Sequence, residues 1–152
     1  MRHTVLLLAA AILLAALPLA AEASDAFGVT IEVPTYFDEP VSFFAAYGEA
    51  VDNGLVCASG TVQDAKYIAA GRREGGHWNF RVEKVFECAD GSGSFVVNLK
   101  AHVFFDPYSD VGTWNMLQGT EAYAKMNGNG ALSGTPFDGG VFDVYTGVIR
   151  SD

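Results

Sequence analysis

The sequence predicts an all-β domain, an eight-stranded antiparallel β-barrel, with a two-layer β-sandwich as the alternative architecture. Short alternating apolar runs recur at intervals of about a dozen residues. Residues that turn cheaply separate them, among them Asn53-Gly54, Asp90-Gly91, Asn127-Gly128 and Asp138-Gly139. After the N-terminal segment, no stretch sustains a 3.6-residue apolar period. With no helix to cover the apolar face of the sheet, the sheet must close on itself or fold over.

The first 23 residues read as an export signal. Met1-Arg2-His3 is a short basic stretch, Val5–Leu17 is apolar, and Ala21-Glu22-Ala23 is a small-residue cleavage pattern before Ser24. The other reading is a retained anchor. Val5 to Ala21 is 17 residues, the lower edge of a spanning helix, and Pro18 interrupts it. Cleavage after residue 23 of 152 leaves one domain of 129 residues, 24–152, secreted or periplasmic, with no stable membrane insertion.

All 11 Phe, 6 Tyr, 2 Trp and 17 Gly lie in that domain, enough apolar mass for a core. Arg2 and Glu22 leave with the leader, one from each side of 9 basic and 18 acidic residues, so the net charge stays at −9. Such a surface repels phosphate backbones, which argues against nucleic acid as a partner.

Taken in order, the strands are expected near 27–34, 40–48, 60–71, 77–88, 93–105, 111–118, 129–135 and 140–149, with one helical turn at most within Thr120–Met126. The clearest run places Phe95, Val97, Leu99, Ala101, Val103 and Phe105 on one face. The strand before it places Trp78, Phe80, Val82, Phe86 and Cys88 on one face. Joining the two through Ala89–Ser92 sets 88 against 93 and gives both apolar sets a common side. A turn at 72–76 then brings residue 60 opposite Cys88, with Cys57 close by. An exported chain oxidises such a pair, so a Cys57–Cys88 disulfide is expected, two free buried thiols being the alternative. Two Cys with no nearby His make no zinc site, and neither metal nor cofactor is expected.

The segment Gly119-Thr120-Glu121-Ala122-Tyr123-Ala124-Lys125-Met126-Asn127-Gly128-Asn129-Gly130 resembles the G-T-G-x-[FY]-A…G-x-G stretch of allene oxide cyclase and dirigent barrels and their exported bacterial relatives. Gly112-Thr113-Trp114, the two Cys segments and Tyr145-Thr146-Gly147 are similar in order and spacing. Glu121 stands where that family usually has glycine. The resemblance implies an eight-stranded antiparallel barrel. The plant cyclases isomerise a fatty-acid epoxide in an apolar cavity and dirigent proteins steer radical coupling; no active-site residue of theirs maps onto this chain.

The residues that carry chemistry are few. His77 and His102 share a polar face on neighbouring strands, where a metal site or a base is conceivable and two exposed imidazoles are the plainer reading. Lys84 falls on the apolar face between Val82 and Phe86, with Asp64 opposite. Inside a barrel such an ion pair is costly and would orient a ligand; near a mouth the lysine would reach water instead. Asp106 and Asp110 share a loop that lacks calcium-binding spacing and reads as a turn. No nucleophile–base set is present, so no catalytic residue is assigned.

The expectation is an exported, non-catalytic barrel that binds a small apolar ligand or serves as an extracellular module. Asp64, Lys84, Phe80, Phe95 and Leu99 are its cavity candidates. An isomerase or cyclase working in the same cavity is the second reading. An oligomeric or adhesive surface protein is the third, suggested by Val96 and Phe104 on the polar side.

Overall fold

The computed structural model describes residues 25–72, 77–105 and 107–151. The leader expected over 1–23 and the carboxylate of Asp106 lie outside the described residues. Eight strands follow one another: β1 (Phe27–Tyr36), β2 (Val41–Tyr47), β3 (Ser59–Arg72), β4 (His77–Cys88), β5 (Ser94–Phe105), β6 (Tyr108–Gly119), β7 (Met126–Phe137) and β8 (Gly140–Ser151). Each pairs antiparallel with the next, and β8 pairs with β1, so the sheet is a closed barrel. Closure removes both edges and decides against the sandwich. A four-residue helix, α1 (Glu49–Asp52), and a 3-10 turn at Glu121–Tyr123 are the described helical segments.

The register of the central strands follows from the shared apolar face. Phe86 pairs with Phe95 and Glu87 with Ser94 in the β4–β5 hairpin, while Gly60 meets Cys88 and Asp64 meets Lys84 between β3 and β4. Bulges in β3 then break the simple alternation between Asp64 and Lys66 and between Tyr67 and Ala69. The first sets Lys66 against the outward Glu83 and Tyr67 against the inward Val82. Re-aiming side chains in this way is a usual consequence of an added residue in one strand.

The interior differs between the two ends. At the end that carries α1, large rings fill it. Phe86 and Phe95 stack at 4.9 Å, and Phe44, Tyr123 and Tyr145 meet them edge-on. Ala50 and Val56 close this end from α1 and the segment after it. The disulfide between Cys57 and Cys88 ties that segment to the end of β4.

Halfway along, Trp114 lies over a patch without side chains. A Cβ at Gly130 or Gly147 would crowd its indole ring, one at Gly128 would collide with Ile149 beside it, and Nε1 donates to the Thr146 carbonyl at 3.3 Å. Gly128-Asn129-Gly130 and Tyr145-Thr146-Gly147 thus have a packing reason, room for one large ring in a narrow barrel.

On the outer wall, the His77 and His102 rings are 5.7 Å apart, and His102 Nδ1 hydrogen-bonds Asn79 Oδ1 at 2.5 Å. Both imidazoles are at the surface side of the sheet, and no group of three metal-binding side chains occurs among the described residues. Among those residues no helix is long and apolar enough to cross a membrane.

Glu121 has φ 52°, the left-handed region in which a Cβ is strained. Glu121→Gly should therefore raise stability by about 1 kcal/mol in chemical denaturation. The disulfide closes 32 residues, counting both cysteines, which corresponds to roughly 3–4 kcal/mol of lost unfolded-state entropy. Thiol titration of unfolded, unreduced protein should find no reactive thiol, and Cys57→Ser/Cys88→Ser should lose stability on that order.

Candidate functional site

At the opposite end, where the β1–β2, β3–β4, β5–β6 and β7–β8 hairpins turn, the interior is open. The inward residues there are smaller, and they leave a cavity of about 490 Å³. Its walls are Val82, Leu99, Ala101, Val103, Leu132 and Val141. Aromatic rings form the rim: Phe37, Tyr67, Phe80, Phe105 and Tyr108. Phe37 and Phe105 each meet Tyr108 edge-on, at 5.8 and 5.9 Å, and Phe80 meets Tyr67 at 5.7 Å. Phe37 is 64% exposed and Phe105 54%, so an apolar edge faces outward at the mouth.

Against these apolar walls stand four charged side chains: Asp64, Lys84, Asp110 and Asp143. Lys84 Nζ donates to Asp64 Oδ1 at 2.5 Å. The lysine side chain is 13% exposed and the aspartate 52%, so the ammonium is inside and its partner at the edge. A second, smaller opening of about 230 Å³ lies beside this pair and also touches Thr35 and Ser42. It exists because β1 and β2 pair only over Thr30–Glu32, and the remainder of β1 hydrogen-bonds to β8 alone.

The other two carboxyls meet through a missing side chain. Asp110 on β6 pairs with Gly134 on β7, and Gly134 pairs with Asp143 on β8. All three point inward in one row, and a Cβ at Gly134 would overlap the Asp110 carboxylate. Glycine in the middle strand therefore lets two carboxyls two strands apart come within hydrogen-bonding reach. Thr35 Oγ1 donates to Asp143 Oδ2 at 3.2 Å, but no protein donor reaches Oδ1 of either aspartate. The Tyr145 hydroxyl, fully enclosed beneath them, also has no partner among the described residues.

Burial and charge set the protonation of this group. Burial pushes the Asp143 carboxyl up to about 7, and the Asp110 carboxylate adds to the rise, with Lys84 opposing it. Burial raises Asp110 as well, against the pull of Lys84. Tyr108 is pushed up to about 12 by burial and by the two carboxylates. Burial, helped by the same negative charges, holds the Tyr145 hydroxyl protonated well above its ordinary range. Around pH 7 the Asp143 carboxyl is therefore protonated in part of the molecules, which sets a hydrogen-bond donor beside an acceptor.

Four of the five expected cavity residues, Asp64, Lys84, Phe80 and Leu99, line this cavity. Phe95 does not. It points inward, but its partner is Phe86 at the filled end, where it is fully enclosed. Lys84 is largely enclosed, 13% exposed, and its ammonium is held by Asp64. Asp110, expected in a turn, belongs to β6 and is buried. Asp143 went unread although its strand carries the signal: Val141, Asp143, Tyr145 and Ile149 alternate onto one face. Comparison with family models, with curated proteins and with solved structures finds no match to this chain.

The raised carboxyl has a consequence for stability. The unfolded chain releases this proton in the ordinary carboxylate range, near pH 4, while the folded chain keeps it up to about 7. The contribution is thus most favourable below pH 4, declines from 4 to 7 and is constant above. Urea unfolding should show wild type losing stability over that window. Asp143→Asn should flatten the profile and exceed wild type at pH 8 by roughly 2 kcal/mol.

Proposed function

We propose that this chain is an exported barrel that binds a small, mainly apolar molecule and holds its one polar group on the Asp110–Asp143 pair. One observation carries the reading: a cavity of about 490 Å³ whose apolar walls end on buried carboxyls with unused acceptor oxygens. Ligand cavities are commonly mostly apolar with a few convergent polar groups, and this volume lies in the range that holds molecules of up to about three rings. The disulfide and the leader-like first 23 residues support an extracytoplasmic location.

A second reading comes from the carboxyl pair and from the resemblance to allene oxide cyclases. A protonated carboxyl beside a carboxylate, facing an apolar cavity, is equipped to give a proton to one atom and take one from another. That is what isomerisation or ring closure of an uncharged substrate needs. In this reading Asp143 is the acid, Asp110 the base, and Lys84 with Asp64 orients the substrate from the opposite wall.

An uncharged fluorescent probe, N-phenyl-1-naphthylamine, tests the cavity directly. Wild type should take up one molecule per barrel with a rise in emission. Ala101→Trp, which puts an indole into the open space, should abolish uptake while the far-ultraviolet spectrum stays that of a β protein. Equal uptake by Ala101→Trp would place the probe elsewhere.

A further inference from the structure

The charge balance of the cavity narrows its ligand class. We propose that the polar group it takes is a cation, an ammonium carried on a flat apolar body. This rests on the cavity being a ligand site. Among the described residues, three carboxyls line it against one lysine, and Asp64 already holds the Lys84 ammonium. Asp110 and Asp143 are more than nine-tenths buried, and no cation among the described residues forms an ion pair with them. Their Oδ1 atoms lack donors, and Asp143 receives only the Thr35 hydroxyl.

An acceptor-rich pocket asks its ligand for donors and for positive charge. An ammonium supplies up to three donors and neutralises the pair, where a hydroxyl supplies one donor and no charge. A carboxylate or phosphate would be repelled. The rim is compatible with the same choice, because it is aromatic, with Phe80, Phe105 and Tyr108 among its residues, and a ring face attracts a cation. The net charge of −9 draws cations toward the protein from a distance.

The two buried carboxyls lie within hydrogen-bonding reach of each other, and burial favours a proton on Asp143 that an ammonium would displace. Binding should therefore release a fraction of a proton around pH 7. The groups that face the pair are Thr35 from β1, Asp64 from β3, Lys84 from β4, Tyr108 from β6 and Tyr145 from β8. Of these, neither tyrosine loses its proton below pH 8. The released proton is then that of the aspartates.

Three isosteric competitors decide the matter: 2-phenylethylammonium, 2-phenylethanol and phenylacetate, each displacing N-phenyl-1-naphthylamine at pH 7.5. The ammonium should displace the probe at a concentration at least tenfold lower than the alcohol, with phenylacetate weakest. Calorimetry in two buffers of different ionisation enthalpy should report proton release with the ammonium and none with the alcohol. Asp143→Asn, nearly the same shape, should collapse the ratio between the two. If the alcohol competes as well as the ammonium in wild type, the cation assignment is overturned while the cavity reading stands. If the probe itself does not bind and none of the three alters the thermal midpoint, both fall.

Discussion

In a closed sheet every second residue must go inside, and the inside of an eight-stranded barrel is only wide enough for side chains to fill. That constraint governs this protein. Each inward position is a choice between filling the lumen and leaving it open, and the choice is made by side-chain size along the axis. Phe44, Phe86, Phe95, Tyr123 and Tyr145 fill one half. Ala101, Val103, Gly134 and Val141 occupy inward positions in the other half, and the cavity is the volume they leave.

Glycine has two uses in this arrangement, both at inward positions. At 130 and 147 it makes room for the Trp114 indole, and at 128 for Ile149. At 134 it makes room for charge. Two carboxyls on strands β6 and β8 are separated by a whole strand, and any side chain on β7 would keep them apart. With none, they approach closely enough that the charge of Asp110, added to the larger effect of burial, raises the proton affinity of Asp143. Backbone pairing thus fixes the Asp110–Gly134–Asp143 row, and the row shifts the protonation state.

The alternation that sets the fold is written in the sequence, and so are the register of the central hairpin and the Cys57–Cys88 bridge. Lys84 stands out because it interrupts Val82 and Phe86 on an apolar face, and the same test applied to Val141 and Tyr145 exposes Asp143. Asp110 is harder to see. Pro107 and the polar residues around it read as a turn running to residue 110, whereas β6 already begins at Tyr108. Depth is not written in a period of two at all. Phe80 and Phe95 both face inward, yet one lines the cavity and the other packs the filled end, because strand tilt and register decide height in the barrel. The β3 bulges are similarly silent, since an inserted residue shows only when both strands are in view.

The packed core and the open cavity are thereby placed at opposite ends of one barrel. Rings stacked at 4.9 Å, the helix cap and the disulfide hold the filled end, and none of them touches the cavity. The open end bears what a folded core tolerates poorly: two unsatisfied carboxyl oxygens, an inward lysine and exposed aromatic edges. Unpartnered buried acceptors weaken a fold in proportion to how poorly water or a ligand serves them. A chain under no demand to bind could lower that burden with Asn at 143 or Leu at 84, and both fit the same backbone. Three carboxyls and one ammonium, among the described residues, around an otherwise apolar space are therefore the feature that packing alone does not account for.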